Sequence, residues 1–259
     1  MNVSIQNVSV SFDRRPALVD ASLEIPRKSI VGILGPSGSG KTTLIRCIAG
    51  LLRPQAGHVE IQGRRVPDKS LAGSIGYMAQ EDSLYPDLSG AQNLRFFASL
   101  YGLRGAAAKA AMEAVFRLTR LTGEEAKRVK NYSGGMRKRL SLATALVHGP
   151  SLLILDEPTV GIDPVLRAEF WDKFRSLRAG GATLLLTTHA MDEADRCDRL
   201  ALIFEGRVLA YGSPEDVRKA VGARTTEEAF LTLRARSMEE KVGAAPSAAP
   251  GAAKGDAHA

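Results

Sequence analysis

A glycine-rich turn, GPSGSGKT at Gly35–Thr42, lies between the apolar run SIVGIL and the helix-compatible run TLIRCIAG. No other stretch restricts the fold as tightly. Gly38 and Gly40 can take positive φ, so successive backbone N–H groups can wrap a phosphate. The spacing is G-x-x-x-x-G-K-[ST]. In this pattern Lys41 reaches the β- and γ-phosphates of a nucleotide, and the Thr42 hydroxyl can ligate Mg²⁺. Gly35, Pro36, Ser37, Ser39 and Thr43 complete the candidate cradle. SIVGIL is continuously apolar, as a strand covered on both faces would be.

The rest of the chain arranges itself around that loop. Residues 2 to 34 read as three strands, the first two alternating at period two like a half-buried antiparallel sheet. GHVEIQG and SIGYMAQ read as further short strands. From Gln92 to about Val147 apolar residues recur at helical spacing. After residue 151 strands and helices alternate, which marks a parallel sheet with covering helices. RLALIFEGRVLAYG reads as a hairpin turning at Glu205-Gly206. The fold expected is α/β: a phosphate-loop core with a mainly parallel sheet, an N-terminal antiparallel β-subdomain and an inserted α-helical subdomain at about 82–147. One domain is expected over 1–236. Residues 237–259, rich in Ala, Pro and Gly, have almost nothing to bury and are expected to be disordered.

Composition narrows the function classes. The chain has 259 residues and a net charge of +7, which suits an anionic partner or simply an Arg-rich solvated surface. Its two cysteines, Cys47 and Cys197, form neither a metal-ligand spacing nor a disulfide framework. The longest apolar runs, SLLIL and ATLLL, are far short of a membrane span. Any action at a membrane then requires another chain to do the spanning. No aromatic-basic cluster supports a nucleic-acid module, so no nucleic acid is expected as a partner.

Two more motifs carry chemistry. LLILDEP, Leu152–Pro158, is a buried strand ending in two acids. Asp156 at the strand end suits Mg²⁺, and Glu157 is free to orient an attacking water. NYSGGMRKRL, residues 131–140, puts flexible backbone ahead of a helix, a second place for an anion.

Phosphate loop, YSGG and LILDEP, in this order and spacing, resemble the ATP-binding cassette family over residues 2 to about 236. The resemblance implies ATP and Mg²⁺ as ligands and ATP hydrolysis as the activity. It implies that Gln80 in YMAQ touches Mg²⁺ and senses a membrane subunit, and that His189 after LLLTT meets the γ-phosphate. Phe12 matches the aromatic that stacks on adenine, although tyrosine is usual there; a strand-core role is the alternative. Ser133, Gly134 and Gly135 would face ATP held by a second cassette, and Asp163 in VGIDP would cross to that partner. On this resemblance the SGG stretch would serve a neighbour's phosphate loop, with ATP as glue between two head-to-tail subunits. Tyr132 and Met136 depart from the usual leucine and glutamine, which leaves any side-chain contact from position 136 open. Arg137-Lys138-Arg139 is expected to be a solvated helix face.

Residues 80 to 103 and TTEEAFLTL resemble exporter cassettes of the drug- and polysaccharide-efflux type. The partners implied are a membrane-spanning permease and a second cassette, identical or different, at the cytoplasmic face of the membrane. Phe96, Phe97 and Tyr101, at helical spacing, are expected in the core, with the permease groove as the alternative. Importer cassettes share the same engine, so import stays open, as does a non-transport role on nucleic acid or ribosomes.

Overall fold

A computed structural model describes residues 1–243. Two sheets share the chain. The first holds β1 (Val3–Phe12), β2 (Arg15–Ile25), β4 (Ala56–Ile61) and β5 (Arg64–Arg65), antiparallel, in the order β2-β1-β4-β5. The second has the order β10-β9-β3-β8-β7-β6. It contains β3 (Ile30–Leu34), β6 (Ile75–Met78), β7 (Leu152–Asp156), β8 (Thr183–Thr188), β9 (Arg199–Phe204) and β10 (Arg207–Gly212). All its pairings are parallel except β9 with β10, whose turn at Glu205-Gly206 has positive φ at both residues. That is the two-residue turn whose twist matches a hairpin. β3, β7 and β8 are buried at every position, the burial expected for central parallel strands.

The helices follow local signals. α1 (Lys41–Ile48) starts directly from the glycine turn. α2 (Gly90–Leu100) is opened by Ser89, whose side chain accepts from the Gln92 amide while Gln92 reaches back. α3 (Gly105–Leu118) and α4 (Gly134–Leu146) pack with α2 as the inserted helical subdomain. α5 (Pro164–Ala179) is capped by Asp163 and has proline at its start. α6 (Met191–Ala194) and α7 (Pro214–Val221) are short.

α5 shows how periodicity becomes packing. Leu166, Phe170, Trp171 and Phe174 share one face, all buried, and Phe174 packs edge-on against both Phe170 and Trp171. Removing the Phe174 ring would cost about 3–5 kcal/mol. This core joins one sheet face to the helical subdomain; a second core lies between the other face and the antiparallel sheet.

Helix α8 (Thr226–Gly243) corrects one boundary. It continues through residues 237–243, which were expected to be disordered. A closing helix is legible up to about residue 236, but charges spread around it leave no clear apolar stripe to carry the reading further. The remainder of the expected tail, 244–259, lies outside the described residues. Both cysteines are buried and free, and burial pushes the Cys47 thiol up to about 11 and the Cys197 thiol higher still. Among the described residues no helix is long and apolar enough to cross a membrane.

Candidate active site

The strand order β3-β8-β7 brings three carboxyl ends side by side, and the site forms just beyond them. β3 delivers the glycine turn. Gly38 and Gly40 have φ of 77° and 105°. A Cβ on Gly40 would lie 2.4 Å from the Ala17 carbonyl oxygen, and one on Gly35 would lie 2.2 Å from that of Ile203. The loop therefore tolerates no side chain at those two positions. Its amide edge lines an open cavity of about 250 Å³ shared with Phe12, Ala17, Gln80 and Glu157. Phe12 is 50 % exposed at the end of β1, so it is no core residue and its ring borders this cavity. A larger cavity, about 820 Å³, lies between α2 and α3 and includes none of the expected site residues.

Glu157 is the hub. The Gln80 amide donates to its Oε2 at 3.0 Å, and His189 Nδ1 lies 3.4 Å from its Oε1. Lys41 Nζ lies 3.8 Å from the same Oε1 and donates to the Gly35 and Pro36 carbonyls at 2.8 and 3.0 Å. Burial lowers the Lys41 pKa, opposed by the charges of Glu157 and Asp156. Glu157 has φ of 49°, a left-handed backbone rare for a side chain of this size. The Thr187 hydroxyl accepts from its amide at 2.9 Å.

Asp156, the last residue of β7, is 1 % exposed. Its Oδ1 accepts from Thr187 Oγ1 at 2.6 Å and from Thr42 Oγ1 at 3.3 Å. A hydroxyl and a carboxylate oxygen, both hard donors, meet at the mouth of the phosphate loop. This donor set fits Mg²⁺ and has no soft ligand that would favour zinc or copper.

The SGG stretch stands apart. Ser133, Gly134 and Gly135 do not line the cavity at the phosphate loop, and neither does Asp163. The Ser133 hydroxyl caps α4 by accepting from Met136 N at 3.2 Å, and Ser133 and Gly134 are exposed. Asp163 accepts from Val165 N and Leu166 N, both at 3.0 Å, and those bonds hold its carboxyl below the usual range. Tyr132, in the place of the usual leucine, is buried with its hydroxyl donating to Glu124 O at 2.7 Å.

The basic run is not the solvated face expected. Lys138 Nζ donates to the Gln80 carbonyl at 2.9 Å, and Arg137 lies 3.9 Å from Asp82. Arg139 pairs with Glu169 at 3.4 Å. All three are half-buried and tie α4 to neighbouring segments. Phe96 and Tyr101 are likewise more exposed than a core reading predicts, at 38 % and 36 %, while Phe97 is half-buried. Sequence reasoning also passed over Thr187, Thr188 and Glu193. The available signal was polar side chains in or just after an otherwise apolar buried strand, since buried polar groups require partners.

Residues 18–160, more than half of the chain, match the family model described as ABC transporter. The chain belongs to the ABC transporter family. It is 40 % identical over 223 residues to the daunorubicin resistance ATP-binding protein DrrA3 of Streptomyces coeruleorubidus, covering 85 % of this chain and 71 % of that one. It is 41 % identical over 218 residues to the Nod factor export ATP-binding protein I of Cupriavidus pinatubonensis, covering 83 % and 67 %. Against the probable multidrug ABC transporter ATP-binding protein YbhF of Escherichia coli identity is 38 %, over 89 % of this chain but 41 % of that one. A solved ATP-binding subunit of an ABC transporter superposes with a TM-score of 0.82 at 29 % identity, covering 90 % of this chain and all of the other. This ABC chain is thus an ATP-binding and ATP-hydrolysing subunit of a transporter, and its antiparallel sheet, core sheet and helices are those of the family's cassettes.

Proposed function

We propose that this subunit powers an exporter from the cytoplasmic face of a membrane, through ATP-driven head-to-tail association with a second cassette. The observation carrying the catalytic part is the convergence of Lys41, Gln80 and His189 on Glu157. Glu157 is the group that orients and deprotonates the attacking water, because its carboxylate is the common acceptor of the site. Lys41 and the loop amides from Gly35 to Thr43 bind the phosphates, Phe12 stacks on the base, and His189 holds the γ-phosphate. Thr42, Asp156 and Gln80 would hold Mg²⁺, which when bound offsets phosphate charge. Ser133, Gly134 and Gly135 act on the partner's nucleotide, with Asp163 at the same interface. Their absence from this chain's own nucleotide cavity supports that division.

The permease docks, on this proposal, in the apolar groove of about 350 Å³ beside α2. Leu51, Leu100 and Tyr101 are exposed at its lip and Phe97 and Tyr77 lie within. Ala79 and Ser83, on either side of Gln80 in the sequence, line this groove, and Gln80 bonds to Glu157, so the proposed docking site adjoins the segment that contacts the proposed base. Gentle solubilisation and affinity capture of the tagged chain should recover a polytopic membrane protein without an extracytoplasmic binding protein. Recovery of such a binding protein would favour import. Ribosomal or DNA-bound partners without any membrane protein would remove the transport assignment.

A further inference from the structure

We propose that Glu193 is a positioning residue for His189, acting through Thr188 and answering to Arg167 on α5. The inference rests on the role given to His189 above. Thr188 and Glu193 are each 1 % exposed. The Thr188 hydroxyl donates to Glu193 Oε2 at 2.7 Å and accepts from Ala190 N at 3.0 Å. One hydroxyl therefore fixes the residues on both sides of His189, whose own side chain is half exposed and makes its only described contact with Glu157. This pair of bonds holds the backbone from which the imidazole reaches Glu157.

The other oxygen of Glu193 is what makes the arrangement more than structural. Glu193 Oε1 and Arg167 Nε are both buried without a hydrogen-bond partner, and they lie 3.8 Å apart. Two opposite charges are thus held just beyond hydrogen-bond distance, at a site where leaving either one unmade is costly. A sub-ångström advance of α5 would close the bond. Arg167 sits one turn into α5, its amide bonded to the carbonyl of Asp163, the residue that caps the helix. Arg167 also faces Asp192 at 3.6 Å. Any movement imposed on Asp163 is therefore delivered through one helical turn to the carboxylate that braces His189. Glu193 has two hydrogen-bonding arrangements available, Arg167 open or closed, and α5 biases between them.

The test uses steady-state ATPase assays on the full-length chain with ATP-dependent dimerisation measured alongside. Thr188→Val keeps the shape and removes the hydroxyl. It should lower kcat about tenfold to a hundredfold with KM for ATP and dimerisation little changed, since a displaced catalytic group loses rate rather than binding. Thr188→Ser should recover most of that loss. Arg167→Gln and Glu193→Gln should each lower kcat, and the double variant should be no slower than the worse single one. Wild-type turnover in Thr188→Val, parallel loss of kcat and ATP affinity, or no recovery with Thr188→Ser would overturn the proposal. Additive losses would overturn the Arg167 link. A His189→Ala control separates the two levels. If it turns over normally, the role of His189 and this inference both fall; if it is inactive while Thr188→Val is normal, only this inference does.

Discussion

The side-chain amide of Gln80 donates to Glu157 Oε2 at 3.0 Å across 77 residues of sequence. That bond joins the segment leading into the helical subdomain to the carboxylate at the end of β7. Lys138 grips the same Gln80 through its carbonyl, so α4 and Glu157 are two contacts apart. The contacts from α4 through Gln80 to Glu157, the proposed base, bypass the core sheet.

If Glu157 is the base, Glu157→Gln keeps the shape and the contact with Gln80 but cannot take a proton. Turnover should fall by about 10²–10⁴-fold with ATP still bound. Size-exclusion chromatography with ATP should then show an accumulated dimer. Turnover near the wild-type rate would place the base elsewhere.

Ser133 is exposed at the N-terminus of α4, away from this chain's own nucleotide cavity. Ser133→Arg should abolish ATP-dependent dimerisation while the monomer's affinity for ATP changes less than about twofold, because in the proposed dimer that position faces the partner's phosphate. Loss of monomer binding would mean that the stretch serves its own phosphate loop.

Phe12 borders the nucleotide cavity with half its surface free. Aromatic stacking on a base is worth about 1–3 kcal/mol. Phe12→Ala should weaken ATP binding accordingly, by about five- to 150-fold, and Phe12→Tyr should restore it. Titration with a fluorescent ATP analogue measures both.

Tyr132 fills a site shared with the start of α2. A Cβ on Gly90 would lie 2.2 Å from its hydroxyl, so the two positions are matched. Tyr132→Phe removes the bond to Glu124 O and should cost about 1 kcal/mol. For a chain of this size that is about 2–4 °C in melting temperature. Gly90→Ala should cost more, since buried atoms must move.

His148 stacks on Tyr101 with ring centroids 3.5 Å apart, and its Nε2 bonds to Ile75 O at 3.0 Å. Burial lowers its pKa from the ordinary 6.5, partly offset by that bond. The folded state thus resists a proton that the unfolded chain accepts. Its contribution is whole above pH 6.5 and is lost as the pH falls from there toward the lowered folded value. Thermal melts on either side of this pH should show a decline that His148→Gln reduces. An unchanged slope would assign the decline to the carboxylates.

Motifs that depend on a residue type at a fixed spacing were legible in the sequence. The glycine turn, LILDEP and the SGG stretch were found because a backbone shape or a charge leaves no substitute. The strand pattern was legible for the same reason that β3, β7 and β8 are buried throughout: parallel strands read as apolar runs. What stayed hidden depends on contacts between distant segments. Lys138 reads as an ordinary surface base until α4 is packed against the Gln80 segment. Glu193 looks like one acid among several in MDEAD, and only folding buries it against Thr188. Tyr101 sits at core spacing, but its partner His148 lies 47 residues on and its outer edge stays open.

The β7–β8 register places Asp156 directly opposite Thr187, and a hydroxyl–carboxylate bond locks the pair. A slip of one residue would turn Asp156 to the opposite face of the sheet and lose the bond. The pairing that aligns two buried strands is therefore the same one that aims the acid at the phosphate loop. A chain that zips this sheet out of register loses the Asp156–Thr187 bond and the placement of Asp156 together, so correct strand pairing and correct site geometry are one event.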